Sequence, residues 1–309
     1  MNIGWRQYIK TKFRKASKFH SVGIEFGVHN LHISSLQKSN GQLIWVKQHS
    51  LSKENWQHQL KHYVEQNKLQ STKCNVVLSI SKYQIMHLDR PAVDDSELVQ
   101  ALQWSVKENL PGDEDLVVDY FDPPTSSSGI KQVNVVAVTK SEICSIRDGI
   151  LEAALVLEKI CIEELSICNL IPFSEDAAIV LKQEQGGQLS LNIIKQSKLF
   201  FSRRLNGYEN LGSLSAEELS MGIVDNLGLE VQRSMDYFES QLRQAPVKKL
   251  YLVLDSTHQD VIADLIKDLV YVSVVPFEPE IQKEQDLSLN PKSFTSLAAA
   301  LASDKVLAE

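Results

Sequence analysis

Apolar and polar positions change their period several times along this chain. From Ser21 they follow strand spacing: SVGIEFG, LHISSLQ and QLIWVKQHS read as three consecutive strands, with turn residues at 27–30 and 39–41. A helix follows from about Glu54 to Gln66, and then CNVVLSI, a short apolar run of the kind a buried strand shows. YQIMHLDRP is a further strand. The stretch from Asp94 to Tyr120 reads as a capped helix, a proline stop, an acidic turn and a strand. Leu98, Ala101, Leu102, Val106 and Leu110 share one helical face, Asp94 to Ser96 supply cap oxygens, and Pro111-Gly112 end the helix. Trp104 falls roughly opposite the centre of that stripe. The helix is therefore either covered on two sides or carries an aromatic side chain outward.

LVVDYFD and KQVNVVAV read as strands joined by a Pro/Ser loop, and Ser141 to about Leu157 as a helix. CIEELSICNLIP is a strand running into a helix start. After Gly186-Gly187, QLSLNII and KLFFSRRL form a hairpin that echoes the opening strands. Leu214 to Arg243 is helical with a break near Gly228. KKLYLVLD is a strand, His258–Leu269 a helix, VYVSVVPF a strand, 278–291 a polar loop and Phe294–Ala302 a helix of small residues. Three strands, a helix and a strand make the sheet unit of ribonuclease-H-like and actin-like folds. The pattern predicts an α/β protein of two such units around a cleft: the first at 21–80 and 158–182, interrupted by a small α+β insert at 81–157, and the second at 183–309.

The 309 residues carry 39 acids and 32 bases, a net charge of −7, which argues against nucleic acid as a partner. Residues 1–20 hold Arg6, Lys10, Lys12, Arg14, Lys15 and Lys18 and no acid. Ile9, Phe13 and Ala16 would share one face there, with Trp5 at its edge. Such a basic segment is either a solvated tail or a contact for an anionic membrane surface. No stretch approaches the ~18 apolar residues of a membrane span, and no signal peptide is evident, so a cytoplasmic protein is expected. The four cysteines, Cys74, Cys144, Cys161 and Cys168, form no CxxC pair and read as free thiols. His58 and His62 stand four apart on a predicted helix but lack a third metal ligand. No nucleophile elbow, P-loop, zinc-protease or dinucleotide signature is present.

Two stretches carry a family resemblance. SELVQALQWSVKENLP…DLVVDY is similar to the EL-x-x-A-x-x-x-E-x-x-x-Y-[IL]-P…D-Y pattern of PilM proteins, the actin-like cytoplasmic components of type IV pilus assembly. EVQRSMDYF, Glu230–Phe238, is similar to their E-[IV]-x-R-S-[LM]-x-[FY]-[FY]. With the order of elements, the chain after residue 20 resembles this family, and most of all its mannose-sensitive haemagglutinin (MSHA) branch. The resemblance implies a two-unit fold whose insert is of the strand–helix–strand–strand (SHS2-like) kind. It implies a scaffold at the inner membrane that takes the cytoplasmic N-terminal peptide of a PilN-like protein (MshJ in the MSHA system) and meets other inner-membrane pilus proteins. The peptide is expected in a groove between the first unit and the insert, with Tyr83, Ile85, Leu88, Leu98, Leu102, Trp104 and Leu110 as candidate contacts. A cytoplasmic GspL-like secretion component shares the fold and is the alternative, as is an active ATPase.

The same resemblance implies a nucleotide site of three elements, each altered here. The first is a strand–turn–strand whose aspartate holds magnesium and whose amides cradle phosphate. Here it reads Glu25-Phe26-Gly27-Val28-His29-Asn30, with glutamate for aspartate. The second is a D-x-G turn, for which the candidate is Leu191 to Lys195, with Asn192 for the acid and no glycine. The third is a Gly-Gly turn against adenosine, which here reads Asp255-Ser256-Thr257. A degenerate site with no tightly held cofactor, and at most weak Mg-ATP binding, is expected. Arg203, Arg204, Lys195 and Lys198 are a candidate anion contact beside it.

Overall fold

The structure is a computed structural model, and it describes residues 17–303 except 111, 113 and 126–130. The basic segment up to residue 16, the helix-stopping Pro111 and most of the Pro/Ser loop lie outside the described residues.

The chain runs β1 (Ser21–Phe26), β2 (Asn30–Ser39), β3 (Gln42–Ser52), α1 (Trp56–Gln66), β4 (Lys73–Leu78), β5 (Gln84–Asp89), α2 (Asp95–Asn109), β6 (Leu116–Phe121) and β7 (Gln132–Thr139). It continues α3 (Lys140–Glu152), β8 (Val156–Ile162), α4 (Glu163–Ile167), β9 (Ala178–Gln183), β10 (Leu189–Lys195), β11 (Lys198–Leu205) and α5 (Val224–Ser240). It closes with β12 (Lys249–Leu254), α6 (Gln259–Lys267), β13 (Ser273–Pro276), β14 (Gln282–Lys283) and α7 (Phe294–Leu301).

Two large sheets repeat one plan. The first has the order β14-β3-β2-β1-β4-β8 and the second β11-β10-β9-β12-β13. In each, three antiparallel strands are followed by two parallel ones, with β14 added parallel to β3 at the edge of the first: β1 pairs with β2 antiparallel and β4 parallel, as β9 does with β10 and β12. The expected duplication is therefore visible in the strand order. The insert is strand–helix–strand–strand, with a sheet ordered β5-β7-β6. α2 covers one face of it, burying Leu98, Leu102 and Val106 against Val118, Val133 and Val135. Trp104 points the other way and is 68% exposed.

Three elements sit elsewhere than their sequence neighbours suggest. β9, an apolar run not singled out from the sequence, opens the second sheet. α3 ends at Glu152, and Val156–Leu157, expected at a helix end, begin β8 at the edge of the first sheet. α7, which follows the second unit in the chain, lies against β1, β2 and β4 of the first. Its small residues explain this. An ideal Cβ at Gly23 would stand 1.9 Å from the Ser296 carbonyl oxygen and 2.4 Å from the Ala300 nitrogen, so helix and sheet touch backbone to backbone. Ser21 Oγ donates to the Ala300 carbonyl at 2.7 Å. On its other side α7 sends Leu297 and Phe294 into a core shared with Val180 and Val253 of the second sheet.

The expected helix break lies at Gly222, whose φ is +100°, and not at Gly228. Gly228 is helical; a Cβ there would stand 2.7 Å from Leu269 Cδ1, so this glycine serves packing.

Gly23→Ala should destabilise the fold by about 1–3 kcal/mol or more, since it overpacks a backbone contact. Gly112→Ala, which meets nothing within 4 Å, should stay within about 0.5 kcal/mol. Chemical denaturation of the two variants beside wild type measures the difference.

Candidate functional site

The first strands of the two sheets bring their ends together. β1 runs into the turn at 27–30 and β9 into the turn at 184–188, and these turns meet across the cleft. Three charged side chains are buried between them. Lys182 Nζ on β9 donates to Glu25 Oε1 on β1 at 2.9 Å and to Glu163 Oε2 at the start of α4 at 2.7 Å. All three side chains are 7% exposed or less. Burial alone would lower the Lys182 ammonium, but the charges of Glu163 and Glu25 overcome this and raise it. Burial raises Glu163, and the neighbouring Glu25 adds to it against the pull of Lys182. One cation between two carboxylates leaves a net negative charge, and Glu163 is the group that answers it.

Beside this cluster, Glu184 reaches into the first turn. The Val28 N–H donates to Glu184 Oε2 at 2.6 Å, and His32 Nε2 lies 3.3 Å from Oε1. Ser50 Oγ stands 2.8 Å from the other ring nitrogen of His32. Burial alone would raise the Glu184 carboxyl, but the hydrogen bonds from His32 and the Val28 amide hold it below the usual carboxylate range. Gly27 makes room for the contact: a Cβ there would stand 2.5 Å from Glu184 Oε2.

Asp255 lies where expected, just after β12, and Ser256 beside it. Lys292 Nζ is 3.2 Å from Asp255 Oδ2. A cavity of about 250 Å³ joins His29, Asn30, Glu184 and Asp255, and a second of about 650 Å³ continues past Asp255 and Ser256 to Leu214 and Pro291.

The second turn is not at Leu191–Lys195. Those residues are the interior of β10, and Asn192 is fully buried with its amide 3.4 Å from Ser190 Oγ. The hairpin begins one strand earlier, so the turn is 184–188 and the charge beside it is Lys182. Its signal in the sequence is a lone lysine ending the apolar run Ala177 to Leu181; Glu163-Glu164 inside CIEELSICNL is another. A charge in such a run needs a buried partner.

Arg203 and Arg204 face away from these turns. Arg203 pairs with Glu230 at 2.6 Å. Arg204 Nη2 lies 3.6 Å from Glu164, and its Nη1 donates to the Tyr83 carbonyl at 3.2 Å. The Tyr83 hydroxyl donates to Glu164, which ties the insert, the first unit and the second together. Burial, then Glu164, raises the Tyr83 hydroxyl well above its ordinary value.

Two clefts flank the insert. One, of about 740 Å³, lies between the open face of its sheet and β11. The other, of about 530 Å³, lies between Phe121–Pro124 of the insert and β4, β8 and α4 of the first unit, with Leu199 and Ala302 closing it. The seven candidate contacts are scattered over several surfaces. Only Ile85 lines either cleft, the larger one. Leu98 and Leu102 are fully buried, because the stripe that makes α2 helical is the stripe that packs its own sheet. Leu88 and Leu110 pack against the same core, Tyr83 is 4% exposed, and Trp104 lines neither cleft.

Among the described residues, no group of three or more His, Cys, Asp and Glu side chains is placed to hold a metal ion. Cys74, Cys144, Cys161 and Cys168 form no disulfide among the described residues. No helix among the described residues is long and apolar enough to cross a membrane.

No protein-family profile and no curated protein sequence matches this chain. Solved structures do. The chain is similar to a protein of the PilM–PilN type IV pilus biogenesis complex, with a TM-score of 0.71 and 15% identity over 93% of this chain and 99% of that one. The fold is actin-like. The cytoplasmic domain of EpsL, an inner-membrane component of the Vibrio cholerae type II secretion system, is similar with a TM-score of 0.50 and 12% identity, over 90% of this chain and 94% of that one. A Bacteroides thetaiotaomicron protein of actin-like ATPase fold and unknown function also reaches 0.50, at 10% identity, over 85% and 92% of the two chains. In actin-like terms the turns at 27–30 and 184–188 are the facing turns of the two units, and the insert interrupts the first.

Lys182→Met should cost about 3–5 kcal/mol, because it leaves Glu25 and Glu163 buried without their cation. Glu184→Gln tests the lowered carboxyl. A group whose folded pKa is depressed stabilises above its unfolded pKa of about 4.3 and loses that contribution as pH falls through the folded value. The gap in melting temperature between wild type and Glu184→Gln should be present at neutral pH and shrink on acidification below that point.

Proposed function

We propose that this chain is a cytoplasmic scaffold of type IV pilus biogenesis of the PilM kind, nearest to MshI of the MSHA pilus. It would work at the inner membrane by holding the N-terminal peptide of a PilN-like protein, MshJ in that system. The supporting observation is the near-complete overlap with a protein solved as part of a PilM–PilN complex. The two signatures in α2–β6 and α5 point the same way. The groove of about 530 Å³ between the insert and the first unit is the peptide site of this reading. Phe121, Pro124 and Leu165 are among its lining residues and would supply apolar contacts to an extended peptide. The basic segment before residue 17 would add contact with anionic lipid, and other inner-membrane pilus proteins would join through the bound partner.

In this reading the protein is not an ATPase. The amide assigned to phosphate already donates to Glu184. The charge beside the second turn is a lysine, and it is spent on Glu25. A triphosphate with magnesium would meet Glu184 and Asp255 and no free cation among the residues of that cavity, since Lys292 is held by Asp255. These residues do not fit Mg-ATP. A secretion component of the EpsL kind is the second reading, favoured by the likeness to that domain.

Calorimetric titration with a synthetic N-terminal peptide of the PilN-like partner should show binding, and a peptide of a secretion partner should not. Ala302→Trp, which fills the groove from the end of α7, should weaken binding tenfold or more without lowering the melting temperature. Trp104→Ala should leave both unchanged; lost affinity there would move the peptide to the outer face of α2. Saturating Mg-ATP should not raise the melting temperature. A bound ligand at 100 times its Kd would stabilise by about 2.7 kcal/mol, and a shift of that size would restore the ATPase reading.

A further inference from the structure

We propose that Glu184 is a ligand supplied by the chain itself: its carboxylate fills the amide cradle of the first unit and clasps the two units, so that the cleft needs no bound molecule to stay closed. This rests on the reading that the cleft holds no nucleotide, and it deepens that reading from a lost site to a replaced one.

Both carboxylate oxygens are used, and both by the other unit. Oε2 takes the Val28 N–H at 2.6 Å and Oε1 faces His32 Nε2 at 3.3 Å. A helix end or turn amide attracts any anion that reaches it. Here the anion is tethered to the facing turn, so its effective concentration is set by the fold and not by solution. The cradle is shaped around it. A Cβ at Gly27 would stand 2.5 and 2.7 Å from the two oxygens, so the side chain lies in the space that only glycine leaves open.

The turns on both sides are fixed. Gln183 Nε2 donates to the carbonyls of Gly187, Tyr208 and Glu209 at 3.2, 2.6 and 2.8 Å, which anchors the turn bearing Glu184. Lys53 Nζ donates to the Val28 carbonyl at 2.8 Å, which anchors the turn that receives it. Two residues before Glu184, near the end of β9, Lys182 crosses the same boundary to Glu25 and Glu163. The clasp therefore has two teeth, one cationic and one anionic.

Hydrogen exchange at the Val28 amide, read at single-residue resolution by mass spectrometry on the full chain without added ligand, tests this. In wild type the amide should exchange at least tenfold more slowly than exposed turn amides. In Glu184→Ala it should exchange at least tenfold faster than in wild type, and small-angle scattering should show a larger radius of gyration. A fast Val28 amide in wild type overturns the proposal, and so does an unchanged amide in Glu184→Ala. If that variant does not fold, Glu184→Gln keeps the shape and removes the charge, and the same two readings apply. The measurement uses no nucleotide. A wild type that binds Mg-ATP, yet has a slow Val28 amide that Glu184→Ala releases, would defeat the functional reading and keep the clasp.

Discussion

A lysine buried between two carboxylates is the contact on which the rest of this structure depends. Lys182, Glu25 and Glu163 are each costly to bury alone, and each is satisfied only when the two units are in place. Separating the units would expose or orphan all three at once. The same boundary carries the Glu184 contact and the Tyr83–Glu164–Arg204 knot, while α7 fills the space between the sheets. The units are thus bound by polar contacts at the turns and by an apolar helix behind them. Neither layer would hold the geometry by itself: the apolar one is non-directional, and the polar one is too small.

That arrangement accords with the scaffold reading proposed above. A motor needs two states whose balance a ligand shifts, and a ligand shifts it only by its difference in affinity for the two. Here the closing contacts are covalently part of the chain. In the scaffold reading proposed above, units held by such contacts would favour capture of a flexible peptide, because a protein side ordered in advance loses no further ordering entropy. The two clefts beside the insert are bounded by elements from both units, so their widths are set by the same contacts that fix the units.

Most of the order of elements, though not β9 or the start of β8, was legible in the sequence because period-2 and period-3.6 patterns are local. The place of Trp104 opposite Leu98, Leu102 and Val106 was legible for the same reason, but whether a second layer covers it was not, and the structure leaves it exposed. Local pattern could not reveal where long-range partners lie. Leu98 and Leu102 suit a groove or a core equally well until β6 and β7 are placed over them. The seat of α7 depends on Gly23, more than 270 positions earlier, and a glycine in a strand does not say what approaches it. β9 is hard to read because its lysine and glutamine ending blurs a short apolar run, and without it the second turn moves by one strand. The sequence then offers Asn192 at the second turn, where the structure buries Asn192 inside β10 and sets Lys182 beside the turn.

The duplication gives the contact between Lys182 and Glu25 a simple physical meaning. β1 and β9 are both six-residue strands that open their sheets, and Glu25 and Lys182 are each the fifth residue. They hold corresponding positions in the two repeats, and the repeats bring those positions face to face. Two acids placed there would repel across a buried gap, and a cation would be needed between them for the units to close. With a lysine on one side the gap closes by direct attraction. Glu163, which remains, takes the second donor of the same ammonium and has its carboxyl raised by burial. With a lysine at one of two corresponding positions, the chain supplies the cation that joins Glu25 and Glu163 across the boundary.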